Sequence, residues 1–76
     1  MPSTPQVSGK ELVKALGKIG FQVVRQKGSH IRLLRITDGQ KQVLTITNHK
    51  IIRKGTLLNG ILKPINLKLD ELKKLL

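Results

Sequence analysis

The sequence predicts a small α+β domain in which a three-stranded antiparallel sheet carries its helices on one face. The order is helix, three strands, helix, with a short extra helix at the C-terminal end. Three observations predict it. An apolar stripe at helical spacing opens the chain, an Asp-Gly pair separates two alternating segments in its middle, and a second leucine-rich helical run follows.

The elements follow in order. Residues 1–7 contain Pro2 and Pro5 and few core-forming side chains, so a flexible tail is expected there. Ser8 and Glu11 have the spacing of a capping box, in which hydroxyl and carboxylate each satisfy a free amide. Leu12, Val13, Leu16 and Ile19 then line one helical face, Lys10, Lys14 and Lys18 lie off it, and Gly20 supplies a left-handed end. From Phe21 the period becomes that of a strand, through Gln26. Lys27-Gly28-Ser29 reads as a turn, and His30 to Thr37 as a second strand. Asp38-Gly39 is a two-residue hairpin signal, and Gln40 to Thr47 forms the third strand.

That tight turn fixes a register. Thr37 faces Gln40, Leu33 faces Leu44, Ile31 faces Ile46 and His30 faces Thr47. Ile31, Leu33, Leu44 and Ile46 then form the floor for the helices. His30, Arg32, Leu34, Val43, Thr45 and Thr47 lie on the open face. With Lys27-Gly28-Ser29 as a three-residue loop, Phe21 and Val23 join the core face and Gln26 lies beside His30. After the basic loop Asn48 to Lys54, a helix is expected from about Gly55-Thr56 through Leu62, closed by Pro64 and Asn66. A last short helix, near Leu69 to Leu76, has Asp70 and Glu71 in its first turn and Lys73 and Lys74 in its last.

Composition narrows the function. The 76 residues form a single domain, too small for a large enclosed cavity. Lys and Arg number 15 against 4 Asp and Glu, a formal charge of +11 that favours polyanions. Phe21 is the one aromatic residue, so base-stacking platforms are missing and recognition falls to backbone charge and shape. Cysteine is absent, which removes thiolate chemistry and Cys-ligated zinc. No apolar run is long enough for a membrane span or a signal core, so a cytoplasmic protein is expected.

The chemistry is narrowed further by the carboxylates. Each has a local structural role, with Glu11 in the cap, Asp38 in the turn, and Asp70 and Glu71 at a helix start. None remains for a metal or an acid–base pair, and no dinucleotide or phosphate-loop motif is present, so neither a metal site nor a small-molecule cofactor is expected. Histidine is left as the side-chain type that titrates near neutrality. RNA cleavage can run on so little, because the substrate's 2′-hydroxyl is its own nucleophile. His30 follows the Gly28-Ser29 turn, with Arg25, Lys27 and Arg32 close in sequence; it is the candidate catalyst. Arg25, Lys27, Ser29, Arg32, His49 and Lys50 are the candidate RNA contacts. A lone histidine at a strand start is more often a solvated side chain than a catalyst. The competing reading is therefore a non-catalytic RNA-binding module using the same basic face. A helix-turn-helix DNA reader is disfavoured by the proline-bearing junction.

Several segments together carry a family resemblance. Ser8-Gly9-Lys10-Glu11-Leu12 leads to Gly20-Phe21, then Gln26-Lys27-Gly28-Ser29-His30, His49-Lys50, Gly55-Thr56-Leu57 and Ile61-Leu62-Lys63. This pattern, over nearly the whole chain, resembles the HicA (YcfA-like) toxins of HicA–HicB toxin–antitoxin pairs. The resemblance implies a double-stranded-RNA-binding-domain-like fold, metal-independent cleavage of mRNA, the Gly-Ser-His histidine (His30 here) as catalyst, and a HicB-like antitoxin over the active face. Thr47 departs from the pattern, standing where members often have proline. So do Pro64, Asn66 and Lys68, at the junction before the last helix.

Overall fold

The computed structural model describes residues 5–76, so the first part of the expected tail lies outside them. α1 (Gly9–Gly17) starts on the predicted box: the Ser8 hydroxyl accepts from the Glu11 N–H at 3.1 Å and the Glu11 carboxylate from the Ser8 N–H at 3.0 Å. Its inner face buries Leu12, Ala15 and Leu16 and leaves Lys10, Lys14 and Lys18 exposed. Beyond it Gly20 takes φ +102°, and the Phe21 N–H closes back on the Leu16 carbonyl at 3.1 Å. The chain is ordered into the core earlier than residues 1–7 as a tail would have it. Val7 is only 2% exposed, and its carbonyl accepts from the Ile52 N–H at 2.7 Å. An apolar side chain within reach of the core outweighs its proline-rich neighbours.

Three strands follow in sheet order: β1 (Gln22–Lys27), β2 (His30–Thr37) and β3 (Gln40–Thr47). Asp38 and Gly39 both have positive φ, as a type I′ turn requires. The β2–β3 register is the predicted one, from Thr37 opposite Gln40 to His30 opposite Thr47. Ile31, Leu33, Leu44 and Ile46 are buried beneath the helices.

The β1–β2 hairpin differs from expectation. Its turn has two residues, with Lys27 opposite His30 and Gln26 opposite Ile31 rather than beside His30. Gly28 supplies the positive φ at the first turn position. The register then shifts between Val23 and Arg25, which makes Val24 an extra, bulged residue. The bulge reconciles two demands. Val23 stays opposite Leu33 on the helix side, while Arg25 lies opposite Arg32 on the open side. Phe21 is buried as expected, but Val23 is 50% exposed: α1 packs chiefly against β3, and every residue of β1 is exposed.

The second helical run is also wound differently. Thr56–Leu62 is a π-helix rather than an α-helix, with the Lys63 N–H donating to the Leu58 carbonyl. Leu57, Ile61 and Leu62 stay buried together. Pro64 has no N–H to continue that pattern, and the chain tightens into a 3₁₀ turn, Lys63–Ile65. Asn66 then takes a left-handed conformation (φ 55°, ψ 38°), and the Leu67 N–H closes on the Leu62 carbonyl at 3.0 Å. α2 (Leu69–Leu75) completes the α-β-β-β-α order and seals the core with Leu72.

Candidate active site

Cross-strand pairing brings the candidate residues into rows. Lys27, His30 and Thr47 stand side by side across the sheet, and Arg25, Arg32 and Thr45 form the next row. Directly opposed residues share a sheet face, so both rows look away from the helices. They open onto a depression of about 740 Å³ lined by Arg25, Lys27, Gly28, Ser29, His30, Arg32 and Thr45. Five of the seven predicted residues therefore meet in one place.

The two-residue turn positions the end of the site. The Gln26 side-chain amide donates to the Gly28 carbonyl at 3.3 Å, and the Asn48 N–H donates to the Ser29 carbonyl at 2.7 Å. The turn is thus held from β1 on one side and from the loop after β3 on the other. His30 begins β2 immediately beyond it and is exposed.

His49 and Lys50 are exposed in that loop but do not line the depression. The His49 carbonyl accepts from the Gly9 N–H at 2.9 Å, so its backbone anchors the start of α1. Thr45 is the residue the site adds. The Asp38-Gly39 register already placed it on the open face opposite Arg32, and its hydroxyl is the signal that could have drawn it in.

The lining is electrostatically one-sided, with three cations and no carboxylate. The acids are engaged elsewhere: Glu11 at the α1 cap, Asp38 in the β2–β3 turn, and Asp70 and Glu71 in the first turn of α2. Among the described residues, no three His, Cys, Asp or Glu side chains come together as a metal site. Within the same residues, no helix is long and apolar enough to cross a membrane. Beyond Arg32 the open face turns apolar, with Leu34 half-buried, Val43 47% exposed and Ile36 70% exposed.

Fold and site define a small basic α+β domain whose sheet leaves one cationic, histidine-bearing face open. The chain belongs to the HicA toxin family: the family model described as "HicA toxin of bacterial toxin-antitoxin" matches residues 9–67. Membership makes it a toxin of a toxin–antitoxin system and implies a cognate antitoxin as partner. The match runs from the first residue of α1 to the residue after Asn66, and α2 lies beyond it. Among curated proteins and solved structures, none matches the chain.

Proposed function

We propose that the chain is a metal-independent endoribonuclease that cleaves mRNA in the cytoplasm, with His30 moving the proton. The observation that carries this is the meeting of His30 with Arg25, Lys27, Ser29 and Arg32 in one open depression free of carboxylates. RNA brings its own nucleophile. The 2′-oxygen attacks the adjacent phosphorus and the bond to the 5′-oxygen breaks, leaving a 2′,3′-cyclic phosphate and a 5′-hydroxyl. One proton leaves the 2′-hydroxyl and one reaches the departing 5′-oxygen; His30 performs one of these transfers. Lys27, Arg25 and Arg32 hold the phosphate and stabilise the charge that builds on it. The Ser29 hydroxyl and the turn amides are further donors at the same end, and His49 and Lys50 extend the grip along the chain.

The partner logic is complementary. An acidic HicB-like antitoxin seated on the open face covers Leu34, Ile36 and Val43, neutralises the cations and hides His30 together.

The test is induced expression of the wild type and of His30→Ala, with growth and mRNA integrity followed in parallel. Product ends are mapped in vitro with and without a chelator. The expected result is growth arrest and chelator-insensitive fragments with 5′-hydroxyl ends for the wild type. His30→Ala should show neither while remaining folded and still binding RNA. Equal behaviour of the two proteins removes His30 as catalyst; unimpaired RNA binding with no cleavage by either leaves the non-catalytic module.

A further inference from the structure

A second depression, of about 280 Å³, lies on the other side of β1, between that strand and α1. Its origin is the overhang of β1. Val23 points to the helix side, opposite Leu33, yet α1 leans toward β3 and leaves the valine half uncovered. Val13 and Val23 form an apolar floor. Lys10 and Lys14, one turn apart on the exposed face of α1, line it together with Gln26 and Asn48. The lining contains no carboxylate.

This depression is joined to the first through the hairpin. Gln26 donates to the Gly28 carbonyl, and Asn48 is bonded through its N–H to Ser29, so both amide residues are tied to the turn that precedes His30. A polyanion strand that left the His30 depression around the turn would pass the two residues tied to it, Gln26 and Asn48, which line the second depression together with Lys10 and Lys14.

We propose that this second depression is a nucleotide subsite. One nucleotide flanking the scissile phosphate rests its ribose or base on Val13 and Val23, presents polar edges to Gln26 and Asn48, and places its phosphates on Lys10 and Lys14. The chemistry suits a nucleotide. Small-ligand sites pair an apolar floor with a few placed polar groups, carboxamides bond base edges, and lysines bind phosphates as point charges. An unstacked single strand has bases free to be held this way, whereas a rigid duplex cannot wrap the turn. The inference rests on the RNA-cleaving reading and gives that site a second, specificity-bearing part.

The experiment measures affinity of the His30→Ala protein for labelled single-stranded RNA 12-mers, as a function of salt. Lys10→Gln/Lys14→Gln is compared with Lys73→Gln/Lys74→Gln, which removes equal charge at the far end of α2. Two lost phosphate contacts flatten the log–log salt slope by about 1.4 for a single strand, so a fourfold rise in salt costs the Lys10/Lys14 variant about sevenfold less affinity than its parent. The Lys73/Lys74 variant should keep the parental slope. Gln26→Ala should narrow the affinity differences among 12-mers that vary in one base. Equal slopes for both lysine pairs, or a base preference unmoved by Gln26→Ala, overturn the subsite. So does a Lys10/Lys14 variant that loses only antitoxin binding, since that assigns the depression to an acidic peptide. If the parent protein itself binds no RNA, the RNA reading fails instead, which is a separate and recognisable result.

Discussion

Lys27 stands directly opposite His30 across the Gly28–Ser29 turn, and Thr47 flanks the histidine on its other side. Opposed residues carry their Cβ atoms about 4.5–5.5 Å apart, so the Lys27 ammonium and the imidazole share one small volume above the sheet. On the proposed mechanism, a cation there would meet the phosphate whose proton transfers His30 would serve, where charge would build as the 2′-oxygen attacks. Lys27→Ala is therefore expected to lower the cleavage rate on the order of 100-fold, the usual effect of deleting one charge-stabilising donor. Affinity for an uncleavable 2′-deoxy analogue should change by only a few-fold, with the salt slope reduced by about 0.7. Lys27→Arg should restore most of the rate. Single-turnover kinetics beside anisotropy titrations separate the two. A rate loss no larger than the binding loss makes Lys27 a grip on the backbone and nothing more.

Arg32 and Arg35 look alike in a charge count and do different work. Arg32 faces the depression. Arg35 lies on the helix side, where Nε donates to Gln42 at 2.9 Å and Nη1 to the Ile19 carbonyl at 3.1 Å. Its guanidinium carbon is 4.7 Å from the Phe21 ring centroid. Arg35→Ala removes charged hydrogen bonds and a cation–π contact, together about 2 kcal/mol of stability, and should leave the RNA salt slope nearly unchanged. Arg32→Ala should do the reverse, with a flatter slope and an unchanged unfolding midpoint. Denaturant melts and salt titrations on both variants decide it, and a matching pair of profiles would remove the distinction.

How much of this was legible in the sequence depended on how many alternatives each segment allowed. Asp38-Gly39 permits one turn, and the alternation on either side of it permits one register, so the Leu33–Leu44 and His30–Thr47 pairs followed. Lys27-Gly28-Ser29 permits two, because Gly28 serves a two-residue turn or a three-residue loop equally well. The adjacent Val23-Val24 pair has no alternation to choose between them. The bulge at Val24 combines features of both solutions, which no unbroken strand pattern reveals. The Ser8–Glu11 cap and the close of the second helical run at Pro64 and Asn66 are local chemistry and were readable. The π winding of Thr56–Leu62 was not, since Leu57, Ile61 and Leu62 mark one buried face in an α-helix just as well. The basic depression was readable because register alone decides which side chains share a face. The second depression required knowing how far α1 leaves β1 uncovered.

Gly9 offers a test in which two principles predict opposite signs. It is the first residue of α1, and since alanine outranks glycine as a helix former, by about 1 kcal/mol in a helix interior, propensity alone favours Gly9→Ala. A Cβ at this position would run into the backbone carbonyl oxygen of Thr47. That oxygen is backbone, at the end of the strand that pairs with His30, and cannot swing aside as a side chain would. Relieving the clash moves the start of α1 and breaks the Gly9 N–H bond to His49. Gly9→Ala should therefore destabilise the protein by about 1–3 kcal/mol, as overpacking does elsewhere. RNA cleavage should fall as well, through displacement of the Thr47–His49 segment beside the site. A thermal melt showing equal or greater stability would mean that α1 shifts without cost.

At α2 the capping is half built. The Lys68 backbone has the extended conformation of a helix N-cap (φ −81°, ψ 152°), and the Glu71 carboxylate accepts from its N–H at 3.1 Å. A lysine side chain has no lone pair to offer in return, so the Glu71 N–H lacks the hydroxyl partner that Ser8 gives Glu11 at α1. Its charge is also unfavourably placed at the positive end of the helix dipole. Lys68→Ser completes the reciprocal pair and should stabilise the protein by about 0.5–1 kcal/mol, or roughly 2–8 °C in a domain of this size. Lys68→Ala removes the charge without adding the acceptor, so the serine variant's margin over it measures the cap alone. Circular dichroism melts of the three proteins are sufficient. If serine and alanine melt together, the Glu71 carboxylate already supplies all the capping that α2 can use.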